Sequence, residues 1–167
     1  MNPVVLAPTT LARTPPLEYI EAAARAGYDG IGIRLYPSPG MAFFPIVGDA
    51  SLERQVKRAI LDAGIQVYDI LTCYLQPDMD IEAMRRAHEF GAELGAKYAL
   101  VIGDDTDWGR MVDNFGRLCD NAKQLGLTCA LGGTGMCLSV DMLKKYGWGM
   151  TSLTEDLEFQ TKALMNN

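Results

Sequence analysis

Histidine is almost missing from this sequence: 167 residues contain one, His88. A mechanism that needs an imidazole base has little to draw on. Basic residues are also in the minority, with 15 Lys and Arg against 21 Asp and Glu and a net charge of −6. That balance argues against nucleic acid, which rewards clustered cations, and suits the solubility of a cytoplasmic protein. No apolar run reaches the roughly 18 residues of a membrane span. Met1-Asn2-Pro3 has no basic region leading into an apolar stretch, so no secretory signal is expected. The four cysteines, Cys73, Cys119, Cys129 and Cys137, form no C-x-x-C pair and fit no zinc spacing. Buried thiols in a reducing compartment are expected, with Cys129 in a strand and Cys119 on the apolar side of a helix. Cys73 follows a strand and is the one expected to be open to exposure, but no histidine near it in sequence would make it a nucleophile. What is abundant is apolar: 49% of residues, beside 22% charged, which is a globular composition.

The apolar residues are organised by a repeat. AAARAGYDGIGIRL, RAILDAGIQVYDIL, AELGAKYALVIGDD and AKQLGLTCAL each join an alanine-rich helix end, a glycine and a strand. The glycines are Gly27, Gly64, Gly95 and Gly126, at intervals of 37, 31 and 31 residues. Glycine suits the left-handed position just past a helix, and a period near 30 with alternating helix and strand indicates stacked βα units. Leu17, Ile20 and Ala24 share one helical face, as do Leu52, Val56, Ala59, Ile60 and Ala63. Trp108, Met111, Val112, Phe115, Leu118, Cys119, Ala122 and Leu125 make the clearest stripe. Strands are expected at Val4–Ala7, Gly30–Leu35, Gln66–Leu71, Ala99–Gly103 and Thr128–Leu131. Thr14 ahead of Pro15-Pro16, Asp49 or Ser51, Asp80 and Asp107 are the helix-start candidates. Long loops follow the strands at 36–50 and 72–79, and short ones precede them. In βα folds the loops leaving strand C-termini carry function.

These stretches resemble the sugar phosphate isomerase/epimerase superfamily, the xylose-isomerase-like barrels. Val4–Thr10, LEYIEAAARAGYDGIGIRL, QVKRAILDAGIQVYDIL and MRRAHEFGAELGAKYALVIGDD are similar to its first four units, and VDNFGRLCDNAKQLGLTCAL to its fourth helix and fifth strand. The resemblance implies a (β/α)8 barrel that binds a divalent metal, Mg or Mn, and moves a proton between adjacent carbons of a sugar or keto acid. It also implies a metal-ligating glutamate directly after the fifth strand, where this sequence has Gly132, and further ligands in units six to eight, which find no match here. A full barrel needs about 250 residues. The expectation is therefore an incomplete TIM-barrel-type parallel sheet of about five βα units. It is a truncated or rearranged relative, or one that a partner chain completes.

Several side chains are candidates for the chemistry. Arg34, at a strand end, suits a substrate phosphate or carboxylate. Asp69, inside an otherwise apolar strand, needs a partner, and Arg34 on the adjacent strand is the obvious one. Asp104 and Asp105 end the fourth strand as VIGDD; adjacent strand residues point to opposite faces, so at most one points inward as base or ligand. The alternative is a loop pair that caps the next helix beside Asp107. Tyr36 and Tyr74, with Phe43, Phe44 and Trp108, flank strand ends and suit a pocket wall or loops folded over the sheet edge. His88 lies mid-helix at the edge of an apolar stripe, as a packed or half-exposed structural residue.

After residue 131 the repeat stops. Residues 132–167 read as a separate Gly-rich and helical segment packed on the same domain, with helices at Ser139–Tyr146 and Leu153–Met165. Gly132-Gly133-Thr134-Gly135 lacks the lysine of a P-loop and reads first as a connector. Three functions remain open: an isomerase or epimerase acting on a small sugar or keto acid, a non-catalytic open sheet that forms homo-oligomers, and a doubly wound sheet binding a nucleotide or flavin at Gly132–Gly135.

Overall fold

The structure, a computed structural model, describes residues 3–38 and 41–131. Strands and helices alternate without exception: β1 (Val5–Leu6), α1 (Pro16–Arg25), β2 (Gly30–Arg34), α2 (Ala50–Ala63), β3 (Gln66–Leu75), α3 (Ile81–Glu93), β4 (Tyr98–Gly103), α4 (Trp108–Gln124) and β5 (Thr128–Leu131). The five strands form one parallel sheet in the order β1-β2-β3-β4-β5. This is the incomplete α/β sheet that the repeat implies. Its strand C-termini therefore share one rim. No described helix is long and apolar enough to cross a membrane.

Local chemistry explains the boundaries. Gly27, Gly64, Gly95 and Gly126 follow the four helices with φ of 79°, 64°, 90° and 74°, a region that costs a side chain with a Cβ about 1 kcal/mol or more. Asp49 Oδ1 accepts from the N–H groups of Ser51 and Leu52 at 2.9 and 3.0 Å, and Asp80 repeats this with Glu82 and Ala83. Asp107 accepts from the Arg110 N–H. Each carboxylate satisfies donors that a helix start leaves open. The first helix differs: Pro15 holds the cap position with no side-chain bond, and Pro16 begins the helix, so Thr14 is not its cap.

One strand departs from expectation. β3 runs to Leu75, four residues past the predicted end at Leu71. Thr72 and Cys73 read as loop, yet both are buried. The β3–β4 register shifts between Ile70 and Cys73, which breaks the alternation that would reveal a strand. Cys73 is consequently a core residue at 0% exposure, not an exposed loop thiol, and its Sγ lies 3.4 Å from Met84 Sδ.

Ile31, Ile33, Ile70, Ala99 and Val101 lie buried on one face of the sheet, with Val56, Phe90 and Leu118 from the helices completing the core. The approach is closest at Gly91 of α3, where an added Cβ would lie 2.7 Å from Ile70 Cγ2. Two effects oppose each other in Gly91→Ala. Helix propensity favours Ala by about 1 kcal/mol. Overpacking against a β-branched, fully buried neighbour costs about 1–3 kcal/mol. The expected net result is a loss of about 1 kcal/mol in urea denaturation, and a gain in stability would show that α3 shifts freely on the sheet.

The expected helices at Ser139–Tyr146 and Leu153–Met165, the Gly132–Gly135 stretch, Cys137 and the segment boundary after Leu131 lie outside the described residues.

Candidate functional site

Register decides which side chains reach the open face. Ile31 pairs with Val67, but after a shift Gly32 pairs with Asp69, Ile33 with Ile70 and Arg34 with Leu71. The extra residue in β3 is Tyr68. Without the shift Tyr68 would oppose Gly32, and Asp69 would oppose Ile33 and point toward the helices. The bulge turns it to the face that carries Gly32 and Arg34. That face is crowded near β2: a Cβ on Gly32 would strike Asp69 Oδ1, and one on Gly30 would strike the Tyr68 ring. The alternation Gly30-Ile31-Gly32-Ile33 was the sequence signal for this close approach.

Arg34 ends β2 and reaches two loops. Its Nη1 donates to the carbonyl of Ala42 at 3.1 Å and, more weakly, to that of Ala12 at 3.4 Å, while Nη2 lies 2.9 Å from Met41 Sδ. Among the described residues no carboxylate pairs with it. Partial burial lowers its pKa, an effect opposed by Tyr19 and Tyr74 nearby; a guanidinium remains charged all the same. A small pocket of about 40 Å³ runs along its stem, lined by Pro8, Leu11, Tyr19, Ile33, Phe44 and Ile46 among others. That volume holds about one water, so a sugar would meet Arg34 at the rim and not inside the pocket.

The expected Arg34–Asp69 pair does not form. Asp69 Oδ1 is buried with no hydrogen-bond partner, and burial raises its pKa. Tyr19 sits close by, its hydroxyl 2.6 Å from the Leu6 carbonyl and 3.0 Å from that of Gly32. Burial first, and Asp69 second, push that phenol well above its ordinary value. The unmatched carboxylate and the unmatched guanidinium thus lie on the same face without neutralising each other.

The two aspartates after β4 separate in role. Asp105 accepts from Arg110 Nε at 2.6 Å and Nη2 at 2.7 Å, and from the Asp107 N–H at 2.8 Å. The Arg110 bond holds its carboxyl below the usual range. Its lone pairs are taken up in fixing the start of α4. Asp104 is exposed, and among the described residues its side chain accepts a single bond, from Gln76 to Oδ2 at 3.1 Å. Asp104 is therefore the aspartate free to meet a ligand. Tyr74, on β3 near Arg34, also stays at the rim.

Tyr36 does not line the rim. It is buried, edge-on to the His88 ring at 6.0 Å and 82°. The Tyr36 hydroxyl, Ser38 Oγ and both His88 nitrogens are buried without partners among the described residues. Burial drives the His88 pKa down to about 4. His88 is fully buried, deeper than an edge-of-stripe position implies, because α3 is covered on that flank as well.

Among the described residues no three His, Cys, Asp or Glu side chains come together as a metal site. The donors at the rim therefore do not fit the metal that the resemblance implies.

No protein-family model matches the sequence, and no curated protein matches it. Solved structures do match in fold. A xylose isomerase domain containing protein from Salmonella typhimurium aligns with 78% of this chain at 12% identity and TM-score 0.56. The IolI protein, solved with a zinc atom, aligns with 78% at 21% identity and TM-score 0.56. A xylose isomerase domain protein from Planctomyces limnophilus aligns with 86% at 15% identity and TM-score 0.50. The chain spans about half the length of these proteins, 50%, 51% and 52% respectively. At such identities the likeness is one of fold: this sheet resembles part of a xylose-isomerase-like TIM barrel.

Proposed function

We propose that the chain supplies the early units of an isomerase or epimerase barrel that moves a proton alpha to the carbonyl of a small sugar or keto acid. The observation that carries this reading is Arg34: a half-buried guanidinium without a carboxylate partner among the described residues, at the C-terminal rim of a barrel-type parallel sheet. There it would hold a substrate phosphate or carboxylate. Asp104 would serve as proton acceptor, with Tyr74 and the Asp69 carboxylate orienting hydroxyl groups. Asp105 and Tyr36 have no part, since one is bound to Arg110 and the other is in the core. The divalent ion that the resemblance implies has no complete set of ligands among the described residues, so the reading rests on Arg34 and Asp104 alone. A cytoplasmic setting and a homo-oligomer belong to the same proposal.

The test is deuterium incorporation. The full chain is incubated in D2O with ketoses, sugar phosphates and keto acids, with and without Mg or Mn, and followed by proton NMR. Loss of the signal alpha to the carbonyl is expected for at least one anionic substrate. No exchange with any of them overturns the proposal.

A second reading, a non-catalytic sheet that assembles with its own copies, draws on two other observations. Among the described residues β1 and β5 are the outer strands, and outer strands invite pairing. Tyr98 and Trp108 are also 51% and 73% exposed. It requires a stable dimer, and a monomer in sedimentation at micromolar concentration would rule it out.

A further inference from the structure

We propose that Cys73, Met84 and His88 form a binding site for a soft monovalent cation, Cu(I), in the core between β3 and α3. The Cys73 thiol donates to Met84 Sδ, with the two sulfurs 3.4 Å apart. A cation that takes the place of this proton meets a thiolate and a thioether already facing each other. Two metal–sulfur bonds of about 2.3 Å span that gap with a bent angle at the metal.

His88 supplies the second, independent observation. It follows Met84 by four residues on α3, a spacing that brings Cβ atoms to about 5–6 Å. The ring is fully buried, and neither nitrogen has a hydrogen-bond partner. Leaving such a group unmet costs about 1–3 kcal/mol, which packing alone does not explain. Tyr36 lies edge-on to the ring at 6.0 Å. Arg34 pairs with Leu71, and the same register two residues on sets Tyr36 beside Cys73. The imidazole and the two sulfurs therefore border one patch of core.

The donor set selects the ion. Thiolate and thioether favour Cu(I), and imidazole suits copper as well. Among the described residues no third His, Cys, Asp or Glu joins Cys73 and His88. One thiolate balances one monovalent cation, so the filled site is neutral and can stay in an apolar core. A divalent ion would leave one charge unmatched. Met84 is half-buried, and its flexible thioether is the way in from solvent. Binding is an exchange without redox change: the Cu–S bond forms, the S–H bond breaks, and the proton goes to the buffer. Burial pushes the free Cys73 thiol up to about 12, but a bound cation inverts that balance and expels the proton.

The experiment titrates the reduced full chain with Cu(I) under anaerobic conditions against the chelator bathocuproine disulfonate. One equivalent is expected to stay with the protein, with two sulfurs and one nitrogen around it by X-ray absorption. Met84→Leu and His88→Leu, both of which keep the core apolar, should each weaken retention at least about tenfold, the lower end of what loss of a group merely supporting a ligand costs. Cys73→Ala should abolish it, and Cys119→Ser, Cys129→Ser and Cys137→Ser should leave it unchanged. Should one core variant fail to fold, the other and the absorption spectrum of the parent decide. No retained copper, retention untouched by Met84→Leu and His88→Leu, or retention lost with Cys119, Cys129 or Cys137 would overturn the proposal. The outcome is independent of whether the chain is an isomerase.

Discussion

Acidifying the protein from pH 7 to pH 4 is expected to remove roughly 3 kcal/mol of stability through His88 alone. The imidazole titrates near 6.5 in an unfolded chain and at about 4 in the fold, where burial disfavours its charge. The depressed value sets the sign. Above about pH 6.5 both states are neutral at this site, and its contribution does not change with pH. Between 6.5 and 4 the unfolded chain takes up the proton first, so stability falls as pH falls. Below about 4 the loss levels off. The neighbouring Tyr36 and Cys73 do not titrate in this window, because burial pushes both upward. His88→Leu removes the titration together with two unpartnered buried nitrogens, a replacement that is neutral or stabilising when shape is kept. Urea midpoints taken by circular dichroism across the pH series should diverge between the two proteins below pH 6.5. Parallel curves would mean that His88 is solvated.

Arg34→Ala is expected to weaken binding of a sugar phosphate or sugar carboxylate about 100-fold, the effect of deleting a charged hydrogen-bonding anchor. Arg34→Lys should not restore it. The guanidinium is placed by the Ala42 and Ala12 carbonyls, and a lysine ammonium has no planar fork to span them while still meeting an anion. Calorimetric titration at low salt, beside the uncharged sugar, separates the charge from loop damage. Equal losses for charged and uncharged ligands would remove Arg34 from the site and leave it a brace between two loops.

Helix ends were the most legible part of the fold. A glycine at φ > 0 and an aspartate cap are local devices, and Gly27, Gly64, Gly95, Gly126, Asp49, Asp80 and Asp107 all sit where the pattern requires. β5 has the expected bounds for the same reason: it lies between a cap glycine and a run of further glycines. The candidate site was legible only in part, because it depends on pairing between strands. Asp69 could be placed on β3, but its face depends on the extra residue Tyr68 between Val67 and Asp69, which periodicity does not reveal. The same limit hid the true end of β3 and the burial of Cys73. Asp105 and Tyr36 were plausible from position alone. Their neighbours Arg110 and His88 come from separate helices, and only the packing shows that they hold those side chains away from a ligand.

The strand order has a further consequence for how the polypeptide acquires its shape. Every strand is hydrogen-bonded to the one made just before it, so each new βα unit finds its docking surface already built upstream. Contacts of short sequence separation form quickly, and synthesis proceeds at about 5–20 residues per second. A ribosome-bound chain can therefore assemble this sheet vectorially, one unit about every few seconds, without waiting for its far end to emerge.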